Sequence, residues 1–405
     1  MHILQLCYKP PFPPCDGGTL AMNSVTQGLI DAGHKVKILS VCSKKHTSPT
    51  LQDHADYIAK TDFESVFIDL DIHPIDAAIA LLCGESYNVK RFYSKDFEKK
   101  IIDILHNHHF DVIHFESIFM APYLPIVQKL SNATTILRTH NVEHRIWHQM
   151  AMTTSNPLRR WYLKKLALAL RVYELEHINN FDGVVCITAN DAESFQSDGC
   201  RKPIIDIPFG INVSSEDSQP FSFFQTQQLS LYHIGAMDWL PNQEGLLWFL
   251  NEVWPTLHRQ LPQVSLHLAG RKMPDHLLQL KLDGVFVYGE VKDAAAFMRS
   301  KHINIVPLLS GSGIRVKIIE AMSLGKTVVT TTTGAAGINY SDGVDILIAD
   351  TPQQFIDQIK RCADNPNLMH HIGLNARKRI ETNYDIEKLT QRLIDFYNKL
   401  QKKPL

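Results

Sequence analysis

The segment GSGIRVKIIEAMSLGKTVVTTTTGAAG runs from Gly311 to Gly337 and joins a glycine-rich loop to an amphipathic helix and then to a β-rich run. The loop follows a strand-like stretch, Ile303–Pro307. Apolar residues recur at helical spacing after it, at Ile314, Ile318, Ile319 and Met322. The order strand, glycine-rich loop, helix, strand is typical of α/β folds that bind phosphate at the carboxyl end of a strand.

Gly325, Lys326 and Thr327 match the last three letters of the Walker A motif GxxxxGK[ST], but the spacing excludes that motif. Its first glycine would fall at residue 320, which is Glu320. A Walker loop also follows a strand and starts a helix, whereas these residues precede a β-like run. We therefore do not expect a nucleoside triphosphatase.

The same segment nevertheless has the chemistry of a nucleotide site. Gly311 and Gly313 let the backbone approach a phosphate, and Arg315 and Lys317 supply positive charge beside the helix N-terminus. Glu320 lies about one turn further on and can accept hydrogen bonds from a ribose diol. A glycine-rich loop with a solvated Arg–Lys pair is the alternative interpretation.

The rest of the chain alternates short apolar runs with longer helix-like segments. Strands that are apolar on both faces and separated by helices indicate parallel sheets. The rhythm breaks once, across Pro208–Gln228, which we interpret as a domain linker. The pattern predicts an α/β protein with two doubly wound domains facing across a cleft, and a single eight-unit barrel is less economical because the linker would fall in its middle. The predicted strands are His2–Cys7, Lys35–Val41, Asp111–Phe115, Thr134–Arg138, Gly183–Thr188, Leu231–Gly235, Val264–Gly270, Val285–Gly289, Ile303–Pro307, Thr327–Thr331 and Asp345–Ala349.

Length and composition agree with two ordinary domains. The chain has 405 residues, and its 41 basic and 42 acidic side chains give a net charge of −1, so no global field attracts nucleic acid. The seven cysteines form no CxxC motif and indicate reduced thiols. There is no charged leader, and no apolar run approaches the ~20 residues that cross a bilayer. These features predict a cytoplasmic protein.

A second candidate phosphate site lies near the N-terminus. The stretch PPFPPCDGG, Pro10–Gly18, connects the first predicted strand to a helix-like segment. Gly17 and Gly18 would then present backbone N–H groups and the positive end of a helix dipole to an anion. The alternative is a tight turn without a ligand.

His140 lies just past the predicted strand Thr134–Arg138, at the edge of the sheet where ligands bind. A histidine there can donate a hydrogen bond or transfer a proton, and a purely structural histidine is the alternative. His144 and His148 have helical spacing, but no HExxH motif or Cys/His cluster accompanies them. We predict no metal site.

A basic amphipathic segment, Pro157–Tyr173, combines aromatic residues with a Leu/Ala face. Such a helix can lie on an anionic membrane, which would make the protein peripheral at the inner face of the membrane. An ordinary domain helix with a solvated basic face is the alternative. The predicted membrane contacts are Arg159, Arg160, Lys164 and Lys165.

Taken together, the chain resembles the retaining glycosyltransferases of family 4, whose GT-B fold consists of two Rossmann-like domains. The resemblance covers almost the whole length. It rests on blocks at Asp16–Gly18, Arg138–Glu143 (RTHNVE), Phe181–Phe195, Ile207–Asn212, Leu231–Gly245, His267–Arg271 and Pro307–Ile338.

The resemblance implies transfer of a sugar from a nucleotide-diphosphate sugar, with retention of configuration, to a glycan or lipid-linked acceptor in cell-envelope polysaccharide biosynthesis. It implies a hexosyltransferase that needs no metal or other cofactor. Residues 1–208 would form the acceptor domain and residues 209–383 the donor domain. The helix-like residues 384–405 would cross back to the N-terminal domain.

Site residues follow from the same resemblance, position by position. His140 would contact the transferred sugar, and Arg315 and Lys317 would stabilise the leaving diphosphate. Glu320 would bind the ribose, and the loop Gly289–Asp293 would meet the base. The implied donor-binding set is Gly17, Gly18, Arg271, Ser312, Gly313, Ile314 and Glu320.

Two departures from the family pattern bear on function. Ser312 replaces the first glutamate of the E-x7-E motif, which leaves the sugar open. The loop GAMDWLPN after the first strand of the C-terminal domain lacks the usual Arg and Lys and offers only Asp238 and Asn242. Two rival functions remain: a nucleotide-sugar epimerase of the same fold, and a nucleotide-sugar-binding protein without turnover.

Overall fold

The computed structural model of the protein describes residues 1–14, 16–213, 228–311 and 314–401. The chain forms two compact units. Unit 1 comprises Met1–Gly210 and Ile386–Leu405, and unit 2 comprises Ile211–Asp385. Most of the predicted linker, residues 214–227, lies outside the described residues.

Unit 1 contains a seven-stranded parallel sheet in the order β3-β2-β1-β4-β5-β6-β7. Its central strands are buried on both faces because helices cover both sides, as parallel sheets require. Its strands are β1 His2–Cys7, β2 Lys35–Cys42, β3 Glu64–Phe67, β4 Val112–Glu116, β5 Thr134–Thr139, β6 Gly183–Cys186 and β7 Ile204–Asp206.

The helices of unit 1 connect these strands as crossovers, and a 3-10 segment spans Ile118–Tyr123. The final helix returns from unit 2. The helices of unit 1 are α1 Gly17–Asp31, α2 Leu51–Thr61, α3 Pro74–Cys83, α4 Tyr87–Lys90, α5 Lys95–Asn107, α6 Leu124–Leu130, α7 Glu143–Thr153, α8 Pro157–Ile178, α9 Ala189–Ser197 and α17 Ile386–Leu400.

Unit 2 contains a six-stranded parallel sheet in the order β10-β9-β8-β11-β12-β13. Its strands are β8 Ser230–Ile234, β9 Ser265–Ala269, β10 Val285–Gly289, β11 Ile303–Val306, β12 Thr327–Thr330 and β13 Leu347–Ile348. Its helices are α10 Leu240–Trp248, continued by a π-helical turn at Phe249–Val253, α11 Trp254–Gln260, α12 Asp275–Leu278, α13 Ala294–Arg299, α14 Val316–Ser323, α15 Pro352–Asp364 and α16 Pro366–Asn383.

The predicted fold class is confirmed: both units are parallel, Rossmann-like α/β domains. Each sheet also has one point at which the strand order reverses direction, between β1 and β4 in unit 1 and between β8 and β11 in unit 2. In open α/β sheets, ligands bind beside the carboxyl ends of the strands at this point. The fold therefore directs attention to the loops after these four strands.

Helix α17 is part of the core of unit 1. Its apolar side chains Leu389, Leu393 and Tyr397 are buried against residues of β1 and α1 such as Ile3 and Leu29. Within the helix-like residues 384–405, the helix begins at Ile386 and ends at Leu400. No helix in the described part of the chain is both long and apolar enough to cross a membrane.

Candidate active site

In unit 1, the side chains of Lys9 and Asp16 meet at the start of α1. Asp16 is the N-cap of α1, because its carboxylate accepts a hydrogen bond from the Thr19 backbone N–H at 2.9 Å. The same carboxylate holds the Lys9 ammonium at 2.7 Å. Burial alone would raise the pKa of Asp16, but Lys9 and the capping hydrogen bond lower it overall.

Gly17 and Gly18, both predicted to bind the donor, occupy the first turn of α1. A Cβ atom at Gly18 would lie 2.8 Å from the Tyr8 hydroxyl, so a larger residue there would displace the Tyr8 side chain. A Cβ at Gly17 would meet no atom within 4 Å. The backbone of this pair is thus accessible at a helix N-terminus, as an anion site requires.

His140 lies directly after β5, and its Nε2 atom is 2.8 Å from a carboxylate oxygen of Glu116 at the end of β4. Burial would raise the pKa of Glu116, but Arg138, His114 and His140 lower it to about 2. Glu116 is therefore ionised and accepts a hydrogen bond from the Nε2–H group of His140. Arg138 Nη1 lies 3.3 Å from the same carboxylate.

This hydrogen bond fixes which nitrogen of His140 carries the proton. Burial lowers the pKa of His140, although Glu116 opposes that effect, so the ring is neutral at pH 7. With the proton on Nε2, the Nδ1 atom carries a lone pair, and it has no hydrogen-bond partner among the described residues. The arrangement makes Nδ1 an acceptor for a hydroxyl of a bound ligand.

In unit 2, the side chain of Lys317 reaches the loop after β8. Its Nζ atom donates a hydrogen bond to the Asn242 side chain at 2.7 Å. A Cβ atom added to Gly235, the residue after β8, would be 3.2 Å from this ammonium. Lys317 therefore supplies a cation beside a loop in which the sequence has Asp238 and Asn242 and no cation of its own.

Arg315 is the N-cap residue of α14 and is buried. Its guanidinium lies 5.2 Å from the centre of the Trp239 ring, a cation–π distance. Burial lowers the pKa of Arg315 to about 10, which leaves it charged at neutral pH. Burial and the charge of Arg315 together lower the pKa of Lys317 to about 7. Two cations brought close together out of water are stabilised by an anion, and a diphosphate would provide one.

Glu320 lies one turn beyond Lys317 on α14. Its carboxylate is largely removed from water, which raises its pKa, and the described residues offer it no hydrogen bond or ion pair. The hydroxyl of Tyr232 on β8 is also buried without a partner, and Glu320 contributes to the raised pKa of Tyr232. These groups leave room for hydrogen bonds with a ligand such as a ribose diol.

The remaining predicted donor residues are placed as follows. Arg271 follows β9 and is exposed, and its backbone oxygen accepts a hydrogen bond from Met237 N at 2.9 Å in the β8 loop. Ile314 immediately precedes Arg315. Ser312 and Gly313 lie outside the described residues.

The structure thus brings Arg315, Lys317 and Glu320 together in unit 2, and gives His140 a partner that the sequence analysis missed. Glu116 is the last residue of β4, and Arg138 is the second-last residue of the neighbouring strand β5. Two opposite charges at the ends of otherwise apolar strands are the feature of the sequence that could have predicted this buried network. Trp239 and Tyr232 were also missed, since their roles depend on packing. Within the described ranges, no three His, Cys, Asp or Glu side chains come together as a metal site would require.

Two family models match this chain, one in each half. "Glycosyltransferase Family 4" matches residues 16–215, and "Glycosyl transferases group 1" matches residues 228–365. Together with the two Rossmann-like units, these matches define a glycosyltransferase with the GT-B fold.

The chain is also similar to one curated protein and shares its fold with several solved structures. An uncharacterized 44.6 kDa protein in the cps region of Klebsiella pneumoniae is 23% identical over 390 residues, which cover 94% of this chain and 95% of that protein. HepE of Anabaena, solved in complex with UDP, has a TM-score of 0.67 at 15% identity and covers 98% of this chain and 100% of its own. A variant of S. aureus TarM, solved with UDP and other ligands, has a TM-score of 0.65 at 12% identity, with coverage of 98% and 100%.

Proposed function

We propose that this glycosyltransferase transfers a sugar from a UDP-sugar, with retention of anomeric configuration, to a glycan or lipid-linked acceptor of a cell-envelope polysaccharide. The observation that carries the donor half of the proposal is the buried Arg315 beside the partly buried Lys317, with the carboxylate of Glu320 left without a partner among the described residues. Cations for a diphosphate and an acceptor for a ribose diol are what a nucleotide sugar needs.

The choice of uridine is supported by solved proteins of the same fold. HepE has been solved with UDP-glucose, and TarM with UDP. The polysaccharide context is supported by the Klebsiella relative, which is described by its place in a cps region. A hexose is the sugar we expect, and Ser312 in place of the usual glutamate leaves its identity for a donor screen.

The proposed chemistry is a same-face displacement. The acceptor hydroxyl oxygen forms a bond to the anomeric carbon while the bond from that carbon to the β-phosphate oxygen breaks. The acceptor proton passes to the departing diphosphate, so the products are the glycosylated acceptor and UDP. Arg315 and Lys317 stabilise the negative charge that develops on the diphosphate, and no metal is required.

His140 has a positioning role in this scheme. Its unprotonated Nδ1 atom accepts a hydrogen bond from a hydroxyl of the transferred sugar, and the ionised Glu116 keeps the proton on Nε2. Gly17 and Gly18 lie in the proposed path of the donor phosphates and the acceptor. Arg271 and the backbone around Ile314 complete the proposed donor site, together with Ser312 and Gly313.

The test is a donor screen with UDP-glucose, UDP-galactose and UDP-N-acetylglucosamine, without added metal, in which UDP release and sugar products are followed by NMR. We expect UDP release from one donor and an α-linked product, with Arg315→Ala reducing kcat by about 10²–10³. A β-linked product would reject retention. A new isomer of the UDP-sugar without UDP release would indicate an epimerase, and binding without any turnover would indicate a binding protein.

A further inference from the structure

Helix α8 concentrates positive charge on a chain whose net charge is −1. The fifteen residues from Pro157 to Arg171 contain five cations and no acidic side chain. The first acid, Glu174, is buried and bonded to His144 at 2.7 Å, so it does not neutralise the surface. The cations are Arg159, Arg160, Lys164, Lys165 and Arg171.

The same helix exposes a stripe of large apolar side chains. Leu158 is 79% exposed, Trp161 56%, Leu168 53% and Val172 47%. Their spacing of three, seven and four residues places them on one side of the helix. A different apolar side, which includes Leu163, Leu166 and Leu170, is buried in unit 1. The exposed stripe is therefore additional to the face that the fold needs.

Two helices that pack on α8 also carry exposed apolar side chains. Both α7 and α3 contact α8. Met152 on α7 is 59% exposed, and Ile75 on α3 is 76% exposed. Exposed apolar side chains grouped along one side of a helix mark an interaction site in a globular protein.

A basic groove adjoins the stripe. It has a volume of about 760 Å³ and lies where α7 and α8 pack together. Its one carboxylate, Asp198, is paired with Arg171 at 3.2 Å and Arg145 at 3.7 Å, so positive charge predominates. Leu168 belongs to both the groove and the stripe. The residues that line the groove include His144, Arg145, His148, Lys164, Leu168 and Arg171.

We propose that this α8 surface, defined by Leu158, Trp161, Leu168, Val172, Arg160, Lys164, Lys165 and Arg171, docks on the surface of an anionic lipid bilayer. The apolar stripe enters the boundary between headgroups and acyl chains, and the cations contact lipid phosphates, some of which enter the groove. Apolar and aromatic side chains bordered by Lys and Arg are the composition of an interfacial helix.

The distribution of charge on the α8 surface favours an anionic bilayer over a second copy of the chain or a nucleic acid. A second copy of the chain bound symmetrically would bring the same cations face to face, which is repulsive. A nucleic acid would use the cations but would gain nothing from the exposed apolar stripe. Of the four predicted membrane contacts, Arg160, Lys164 and Lys165 lie beside or within the stripe, whereas helical spacing puts Arg159 on the other side of α8.

Vesicle flotation tests the proposal with the full-length protein. We expect binding to phosphatidylcholine vesicles that contain about 30% phosphatidylglycerol, loss of binding as salt is raised, and little binding to pure phosphatidylcholine. Lys164→Glu with Lys165→Glu, and separately Leu158→Ser with Trp161→Ser, should each weaken binding by at least about tenfold. The matched control is Leu374→Ser with Lys378→Glu on α16, an exposed pair that should leave binding unchanged.

A second measurement places Trp161 in the bilayer. Brominated acyl chains should quench tryptophan fluorescence of the bound wild type, and Trp161→Phe should bind while losing most of that quenching. Equal binding to neutral vesicles, equal loss in the α16 control, or self-association abolished by Leu158→Ser with Trp161→Ser would overturn the proposal. UDP binding by the α8 variants should match wild type, so a failed membrane test leaves the donor-site proposal standing on its own result.

Discussion

At the scale of single residues, Lys317 has the property that most directly affects donor binding. It is partly buried beside Arg315 and donates a hydrogen bond to Asn242, and its pKa is lowered to about 7. A free site at pH 8 therefore holds mostly neutral Lys317, whereas a bound diphosphate favours the charged form. Binding must then take up a proton above pH 7, and affinity falls as pH rises.

We predict that UDP-glucose affinity is nearly constant below pH ~6.5 and decreases by up to about tenfold per unit above pH ~7.5. UDP-glucose suits the measurement because both of its phosphates are esterified and do not titrate in this range. Calorimetry at constant ionic strength should show the slope in wild type and a flat profile in Lys317→Gln.

The chain supplies a matched control for this prediction. Lys326 is also buried in unit 2, its pKa is also lowered to about 7, and its ammonium donates to the backbone oxygens of Arg299 and Lys301 at 2.8 and 2.7 Å. Lys326→Gln should keep the wild-type slope. If Lys317→Gln kept the slope as well, another group would be responsible for it.

Glu116 is the second residue with a specific expected effect. Glu116→Gln leaves the buried Arg138 without its counter-charge, and we expect a loss of about 3–5 kcal/mol in the free energy of unfolding at pH 7. Because the folded-state pKa of Glu116 is about 2, this loss should shrink as pH falls from ~5 toward 2.

Denaturant unfolding at several pH values measures this difference. Glu85→Gln is the control, since Glu85 pairs with Lys90 at 2.6 Å, both side chains are at least half exposed, and surface pairs contribute at most about 1 kcal/mol. Equal losses in the two variants would show that the buried network around Glu116 has no special role in stability.

At the scale of elements, the packing of α17 on α1 depends on one glycine. A Cβ atom at Gly28 would lie 2.1 Å from the Oγ1 atom of Thr390. Thr390 is buried, so the helix itself must move to make room. Gly28→Ala should therefore destabilise unit 1 by about 1–3 kcal/mol, against the usual helical preference for alanine.

A double-mutant cycle checks this prediction by thermal or denaturant unfolding. Thr390→Ala removes the atom in conflict, so the double variant should recover most of the loss caused by Gly28→Ala. Additive losses would mean that the close approach of the two helices does not limit stability.

The strands also show which parts of the secondary structure could be predicted from the sequence and which could not. β1 and β10 were predicted with the observed bounds, because their apolar runs have clear ends. β3 and β7 were missed: both are short strands at the edges of the sheet and are only partly buried, so they lack a continuous apolar run. The predicted strand Thr134–Arg138 included Arg138, whereas the predicted strand Asp111–Phe115 ended one residue before Glu116. The Glu116–His140 hydrogen bond also depends on strand order, which periodicity does not report.

At the scale of the whole molecule, the proposed function divides between the two units. In that proposal, Arg315, Lys317 and Glu320 of unit 2 would bind the nucleotide, and unit 1 would supply the acceptor nitrogen of His140 and the α8 surface. The repeated α/β rhythm predicted this architecture because both halves show it independently. The identities of the transferred sugar and of the acceptor were not predictable, because each depends on which side chains contact a bound ligand.

The measurement that tests the central claim most directly is a titration of the full-length protein with UDP, GDP, ADP and CDP, without metal. We predict selective binding of UDP, weakened in both Glu320→Ala and Arg315→Ala, with Lys326→Gln as an unaffected control. Glu320→Ala should reduce affinity by about tenfold or more, because the ribose hydroxyls lose a charged hydrogen-bond partner. Absence of nucleotide binding, or UDP binding unchanged in both variants, would contradict the assignment of the donor site.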